Sequence, residues 1–160
     1  MRIVSLLPSS TEIVCALGLE ADLVGRSHEC DYPAGIERLP ILTAPRFDPT
    51  GSSLEVDARV KAVLQETASV YTIDAEILER LQPDVVITQT QCEVCAVSYA
   101  EVQRVVCDQL HSSAAIVALE PNWLADVYGD IQRVAEVTGV PERGTALVNE
   151  MQRRVRVISE

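Results

Sequence analysis

The feature that most restricts the fold of this chain is the regular alternation of short apolar runs with amphipathic segments. Residues 85–88 form the clearest apolar run, and its β-branched composition is typical of a strand buried on both faces. Similar runs at residues 3–7 and 114–119 are each followed by a segment of helical periodicity. The sequence therefore predicts the α/β class: a Rossmann-like three-layer lobe with a mostly parallel sheet of four or five short strands flanked by helices.

Capping residues predict where the helices begin. Ser9 is followed by Glu12 at the spacing of a capping box, so the first helix is expected to start there and to end at Gly18. A second box, Ser98 with Glu101, opens a helix that runs to about residue 110. The other helices are predicted at residues 53–66, 74–81, 122–137 and from 141 onwards, and two further short strands at 23–25 and 39–42.

The charge of the chain excludes some classes of partner. It has 24 acidic side chains against 13 basic ones, which gives a net charge of −11. Nucleic acids and anionic membrane surfaces require clustered Lys and Arg, so neither is expected as a partner. No apolar stretch approaches the roughly 20 residues of a membrane-spanning helix.

Polar loops follow four of the predicted strands. Ligands of open parallel sheets bind outside the carboxyl ends of the strands, so these loops are expected to converge on one ligand-binding edge. A neutral His28 could coordinate a metal, Arg46 could bind a carboxylate or phosphate, and Phe47 could stack on a planar ligand. The chemically distinctive side chains of these loops are Ser9, Ser10, His28, Glu29, Cys30, Arg46, Phe47, Cys92, Glu93 and Cys95.

Asn122 and Trp123 follow the last predicted strand. Asn122 is expected to cap the helix that starts there. Trp123 could stack on a planar ligand, but its place just inside a helix start favours packing as a staple against the sheet.

Cys92 and Cys95 form a C-x-x-C pair, the most specific short motif that the residues themselves supply. The pair fits a redox dithiol, half of a zinc site or a structural disulfide. If the loops converge, Cys30 and His28 would complete a tetrahedral zinc site with the pair. The chain has five cysteines, so they cannot all be paired within it.

Three ordered segments carry a family resemblance: RIVSLLPSSTE at residues 2–12, LVGRSHECDYP at 23–33 and LQPDVVIT at 81–88. They resemble the helical-backbone (class III) periplasmic substrate-binding proteins, the receptors of ABC importers for cobalamin, haem and ferric siderophores. A further segment, TQTQCEVCAVS at residues 88–98, is similar to a branch described as cobalamin-binding. The resemblance covers essentially the whole chain.

Members of this family have two α/β lobes joined by one long helix, with the ligand clamped between the lobes. The resemblance implies that residues 1–121 form the N-terminal ligand-binding lobe, that residues 122–160 lead into the interlobe helix, and that the second lobe is absent. It also implies a binding protein rather than an enzyme, with cobalamin or an iron chelate as ligand and no required cofactor. The expected ligand contacts are Ser9, Ser10, His28, Glu29, Tyr32, Arg46, Phe47, Gln91, Cys92 and Glu93.

One position departs from the family pattern. Enteric-type cobalamin receptors have an aromatic side chain where this chain has Glu29. His28 and Tyr32 are the nearby alternatives for that contact with the corrin ring.

The resemblance also implies partners and a location. Family receptors dock onto the ABC permease through one glutamate per lobe, and Glu76 matches the first-lobe glutamate by its position. A single lobe is expected to bind its ligand weakly and to form homo-oligomers through the surface that lacks its second lobe. An extracytoplasmic location is implied, but residues 1–2 run into the first strand without a visible leader, so a cytoplasmic location stays open. The alternative function is a metal-binding or thiol-redox domain that uses Cys92 and Cys95.

Overall fold

In the computed structural model, which describes residues 1–67, 69–92 and 94–159, strands and helices alternate as the sequence predicts. The strands are β1 (Ile3–Ser5), β2 (Leu23–Arg26), β3 (Thr43–Pro45), β4 (Tyr71–Ile73), β5 (Val85–Gln89) and β6 (Ala115–Leu119). The helices are α1 (Pro8–Ala16), α2 (Ser53–Glu66), α3 (Ala75–Leu81), α4 (Tyr99–Gln103), α5 (Leu124–Val137) and α6 (Pro141–Ser159). A π-helical segment, Arg104–Gln109, continues α4.

Four strands form one parallel sheet in the order β2-β1-β5-β6. Successive side chains of a strand point to opposite faces, and this alternation divides the apolar residues into two cores. Ile3 and Ile87 pack with residues of α1, α5 and α6 on one face. Val4 and Val86 pack with residues of α3 and α4 on the other face. The predicted three-layer α/β lobe is thus confirmed.

Strands β3 and β4 form a separate antiparallel pair, with Thr43 opposite Ile73. The strand predicted at residues 39–42 is wrong, because Ile41 makes only an isolated bridge to Arg26 and regular pairing starts at Thr43. Pro40 has no N–H with which to continue a ladder. The sequence does not predict β4, since three residues are too few to show an alternating pattern.

The capping box predicted for α1 does not form. The helix begins at Pro8, with Leu7 at the N-cap and no side-chain cap. Proline suits this first position because its missing N–H would have no partner there. The hydroxyl of Ser10 donates to the Leu7 carbonyl, and Glu12 is exposed to solvent.

Helix α5 also begins differently from the prediction. Its N-cap residue is Trp123, so Asn122 is not the cap. The carboxylate of Asp126 accepts hydrogen bonds from the backbone N–H groups of both residues, at 2.8 Å from Trp123 and 3.0 Å from Asn122. Because this carboxylate fixes the helix start, no aromatic staple is needed, and Trp123 is 78% exposed.

Other predicted helix starts are confirmed. Ser52 and Glu55 form a reciprocal capping box on α2, Asp74 caps α3, and Pro141 is the first residue of α6. Ser98 caps α4 by accepting a hydrogen bond from the backbone of Glu101. No helix in the described part of the chain is long and apolar enough to cross a membrane.

Candidate ligand-binding edge

The four parallel strands end on the same edge of the sheet, at Ser5, Arg26, Gln89 and Leu119. The segments that leave this edge are the start of α1, residues 27–35, residues 90–98 and residues 120–123. Arg46 and Phe47 follow β3, which lies outside the main sheet, and Arg46 is connected to this region by its hydrogen bond to Tyr71 of β4.

His28 occupies a polar cluster at the end of β2. Its Nδ1 lies 2.7 Å from the Thr43 hydroxyl, and its backbone N–H donates to the same oxygen at 3.0 Å. Its Nε2 lies 3.1 Å from a carboxylate oxygen of the exposed Glu29, and its ring stands 5.2 Å from the ring of Tyr71. Burial is the main cause that raises the pKa of Tyr71, and the nearby Glu29 carboxylate adds to it. The side chain of His28 is therefore held from three sides.

A buried arginine fixes the loop that carries His28 and Tyr32. Arg26 is only 7% exposed, and its guanidinium donates to the backbone carbonyls of Ser27, Cys30 and Glu37. Hydrogen bonds from a charged donor are stronger than neutral ones, so this guanidinium holds both ends of the loop.

Two predicted site residues are buried and unavailable to a ligand. Ser10 is fully buried, with its hydroxyl 2.6 Å from that of Ser5. Cys30 is 1% exposed, and its sulfur accepts a hydrogen bond from Thr11 at 3.1 Å. Burial is the main cause that raises the pKa of the Cys30 thiol, which keeps it protonated. Ser9, in contrast, is exposed at the first turn of α1.

Cys92 and Cys95 form a disulfide in the loop after β5. The amide of Gln89 donates to the Cys92 carbonyl at 2.9 Å and ties this loop to the end of the strand. Gln91 is exposed, and Glu93 lies outside the described residues.

The predicted zinc site of His28, Cys30, Cys92 and Cys95 is not formed. Two of its sulfurs are joined to each other, and that of Cys30 is buried against Thr11. Within the described residues, no three His, Cys, Asp or Glu side chains are placed to hold a metal ion.

Aromatic side chains stand at both outer strands of the edge. Tyr32, after β2, is 64% exposed, and Trp123, after β6, is 78% exposed. Phe47 is half buried. Sequence reasoning assigns Trp123 to packing, although a tryptophan four residues after the end of a strand was a signal for the binding edge. It misses Tyr71 because β4 is not predicted.

Two charged residues complete the set of predicted contacts. Arg46 donates to the Tyr71 carbonyl at 3.0 Å and to the Glu101 carboxylate at 3.3 Å. Glu76 is exposed in the first turn of α3. It therefore lies on the outer surface of the molecule and not among the side chains around His28.

One parallel sheet between helix layers, with the loops that follow its four strands on one edge, defines a single α/β lobe. The chain belongs to the periplasmic binding protein family, whose family model matches residues 3–160. The family is one of binding proteins. No curated protein matches the chain.

Solved structures of this type share the fold. A protein of Staphylococcus epidermidis described as a possible iron-binding (periplasmic solute-binding) protein has a TM-score of 0.68 at 21% identity, over 98% of this chain and 49% of that one. The periplasmic haem-binding protein RhuT of Roseiflexus gives 0.66 at 24% identity, over 98% and 48%. The periplasmic vitamin B12-binding protein BtuF of Vibrio cholerae gives 0.64 at 22% identity, over 97% and 48%. The chain thus spans about half the length of these proteins.

Proposed function

We propose that this chain is a ligand-binding lobe of an extracytoplasmic receptor that delivers a metal chelate to an ABC importer. Cobalamin is the first candidate ligand, and haem and ferric siderophores are the others. The observation that carries the proposal is the edge where the four parallel strands end, because the loops that leave it hold the exposed Tyr32 and Trp123 and the partly buried His28. Family membership and the solved structures of proteins described as possibly iron-binding, haem-binding and vitamin B12-binding support it.

The dimensions of the edge suit a flat macrocycle. Three strand spacings separate β2 from β6, which amounts to about 14 Å. Tyr32 and Trp123 lie in the segments that follow β2 and β6, and their exposed rings would contact a planar ring bound across that span. The imidazole of His28 would coordinate the metal through Nε2 once Glu29, which is exposed, turns away. Ser9, Phe47, Gln91 and the Cys92 loop would make further contacts.

We also propose the wider architecture that the family implies. Residues 122–160 would lead towards a second lobe, and the exposed Val155, Val157 and Ile158 on α6 would meet apolar partners there or in a homo-oligomer. Glu76 would dock onto an arginine of the permease. A Glu76→Arg variant should keep its chelate affinity and lose binding to the reconstituted permease, and unchanged docking would remove this role from Glu76.

The central experiment is an absorption titration with cobalamin, haem and a ferric siderophore. We expect one chelate to change its spectrum on binding, and His28→Asn should weaken that binding and shift the band of the metal centre. The matched control is His111→Asn, because His111 is exposed in the segment that leads into the opposite end of β6. Asparagine tolerates the positive φ of 48° at that position. The absence of a spectral change with all three chelates would refute the proposed function.

A thiol-redox domain is the second candidate, favoured by the Cys92–Cys95 disulfide at this edge, where Cys95 is exposed. In that case, with an added small dithiol to regenerate it, the dithiol form would repeatedly reduce a model disulfide and become oxidised in turn, and Cys92→Ser would abolish this turnover. Chelate binding that persists in Cys92→Ser, with no such turnover in the wild type, would decide for the receptor.

A further inference from the structure

A cavity with several charged and hydroxyl-bearing lining residues lies beside the His28 cluster. It has a volume of about 350 Å³ and is lined by Arg46, Thr67, Ser69, Ser98, Glu101 and Arg104, among others. Tyr71 connects the two places, because its carbonyl accepts a hydrogen bond from Arg46 while its ring contacts His28. A substituent of a ligand bound at His28 would therefore have this cavity within reach.

The charge of the cavity is positive in an acidic chain. Arg46 and Arg104 share a single carboxylate, that of Glu101, at 3.3 and 2.8 Å. Two cations thus face one anion among the described lining residues, whereas the whole chain carries −11. Within the described part of the chain, the Nη1 groups of both arginines make no hydrogen bond to protein. Each arginine keeps donors for a further partner.

Two buried hydroxyl groups add to these donors. Ser69 is 3% exposed and Ser98 is 8% exposed. Each accepts one backbone hydrogen bond, from Tyr71 and from Glu101 respectively. Among the described residues, neither hydroxyl donates to another group, so both hydrogens are available. A cavity that has unused donors and two arginines against one carboxylate selects for an anion.

We propose that this cavity binds an anionic substituent, a carboxylate or a phosphate, of the chelate that occupies the strand edge. The inference rests on the proposed function and narrows its substrate class to chelates that carry such a group. Without a ligand, the Glu101 carboxylate accepts hydrogen bonds from both arginines, so a bound anion would compete with it for these donors. This competition separates a ligand role for the arginines from a purely structural one.

The test compares chelates with and without the anion. Haem and its dimethyl ester differ in two carboxylates, and cobalamin and cobinamide differ in the phosphate-bearing loop. In Arg46→Gln, the affinity for the member that bears the anionic group should fall about tenfold, the usual worth of a charge-assisted hydrogen bond, and the affinity for the member without that group should hold. In Glu101→Gln, the member that bears the anionic group should bind more tightly. Arg80→Gln, which removes an exposed arginine from α3, should change neither.

Equal losses for both members of a pair in Arg46→Gln, or no tightening in Glu101→Gln, would overturn the inference and leave the proposed function standing. Arg46→Lys keeps the charge and serves as the control for correct folding. It should retain part of the preference for the chelate that bears the anionic group. Inorganic phosphate provides a readout that needs no chelate. It should raise the melting temperature above that in chloride of equal ionic strength, and Arg46→Gln should remove this rise. A higher melting temperature in phosphate without binding of any chelate would support the anion site in the cavity and refute the proposed receptor function. An unchanged melting temperature would count against the anion site.

Discussion

At the scale of single residues, the hydroxyl cluster under the start of α1 holds the first strand to the first helix. The Ser5 hydroxyl accepts from Thr11 at 2.7 Å, lies 2.6 Å from the Ser10 hydroxyl and donates to the Leu7 carbonyl at 3.1 Å. All of these groups are buried, and two of the hydroxyls have other partners as well: Ser10 donates to the Leu7 carbonyl, and the Thr11 hydroxyl lies 3.1 Å from the Cys30 sulfur.

Removal of this hydroxyl should therefore be costly. We expect Ser5→Ala to lower the free energy of unfolding in urea by about 1 kcal/mol, because it removes the buried hydrogen bonds that Ser5 makes with Thr11 and the Leu7 carbonyl. The control is Ser9→Ala, which alters an exposed hydroxyl on the same helix and should cost less than about 0.5 kcal/mol. Equal effects of the two substitutions would contradict the buried network.

Glu101 should make stability depend on pH. The hydrogen bond from Arg104 is the largest cause that lowers the pKa of this carboxyl below its ordinary 4.5, and the charges of Arg104 and Arg46 contribute. Because the folded value is the lower one, the stabilisation is present above pH 4.5 and is lost as the pH falls through the folded value. Glu101→Gln should thus be less stable than the wild type at pH 7 and approach it near the acid limit. Parallel curves of unfolding free energy against pH would contradict this.

At the scale of elements, two helical glycines have opposite roles. A Cβ on Gly144 of α6 would come within 2.6 Å of the Cβ of Ala135, a fully buried residue of α5. A Cβ on Gly129 of α5 would meet nothing within 4 Å. Close packing of α5 on α6 therefore requires glycine at the first position only.

Alanine substitutions should separate these roles. We expect Gly144→Ala to lower the free energy of unfolding by about 1–3 kcal/mol through overpacking. Gly129→Ala should raise it by about 0.5–1 kcal/mol through helix propensity. Urea denaturation of both variants measures the difference, and a gain in both would show that α5 and α6 move apart at little cost.

Elements with a strong local signal are predicted from the sequence, and elements without one are missed. β5 is an unbroken apolar run, and Ser52 and Asp74 cap α2 and α3, so these elements are visible without tertiary context. β4 has three half-buried residues, and its pairing with β3 joins positions about 30 residues apart. Helix α2 is predicted as amphipathic, yet none of its residues is fully buried.

At the scale of the whole molecule, the charge imbalance should weaken the compact state. The net charge of −11 makes the folded chain repel itself. Raising the NaCl concentration from about 0.01 to about 0.1 M shortens the screening length from about 30 to about 10 Å. We expect the melting temperature to rise by a few degrees over this range, with an equal molarity of sucrose as the uncharged control. A falling melting temperature would show that the surface ion pairs outweigh the repulsion.

Some features of the candidate site are predicted correctly from the sequence, and others are not. The sequence predicts that His28, Glu29 and Arg46 belong to polar loops, and the structure places His28 against Glu29 and links Arg46 to both through Tyr71. It also predicts ligand or metal roles for Ser10 and Cys30, which are buried. Exposure could not be read from loop position, since it depends on contacts such as that of Thr11 with Cys30, 19 residues away.

The sequence by itself determined the α/β class, most helix boundaries and the family, because burial periodicity, caps and short motifs are properties of neighbouring residues. Tertiary structure alone decided the strand order, the separate β3–β4 pair and the sharing of Glu101 by Arg46 and Arg104. The physical reason is that these features join residues far apart in the chain, 55 positions in the case of Arg46 and Glu101. Such pairs are selected by the packing of the whole lobe, and no local pattern encodes them.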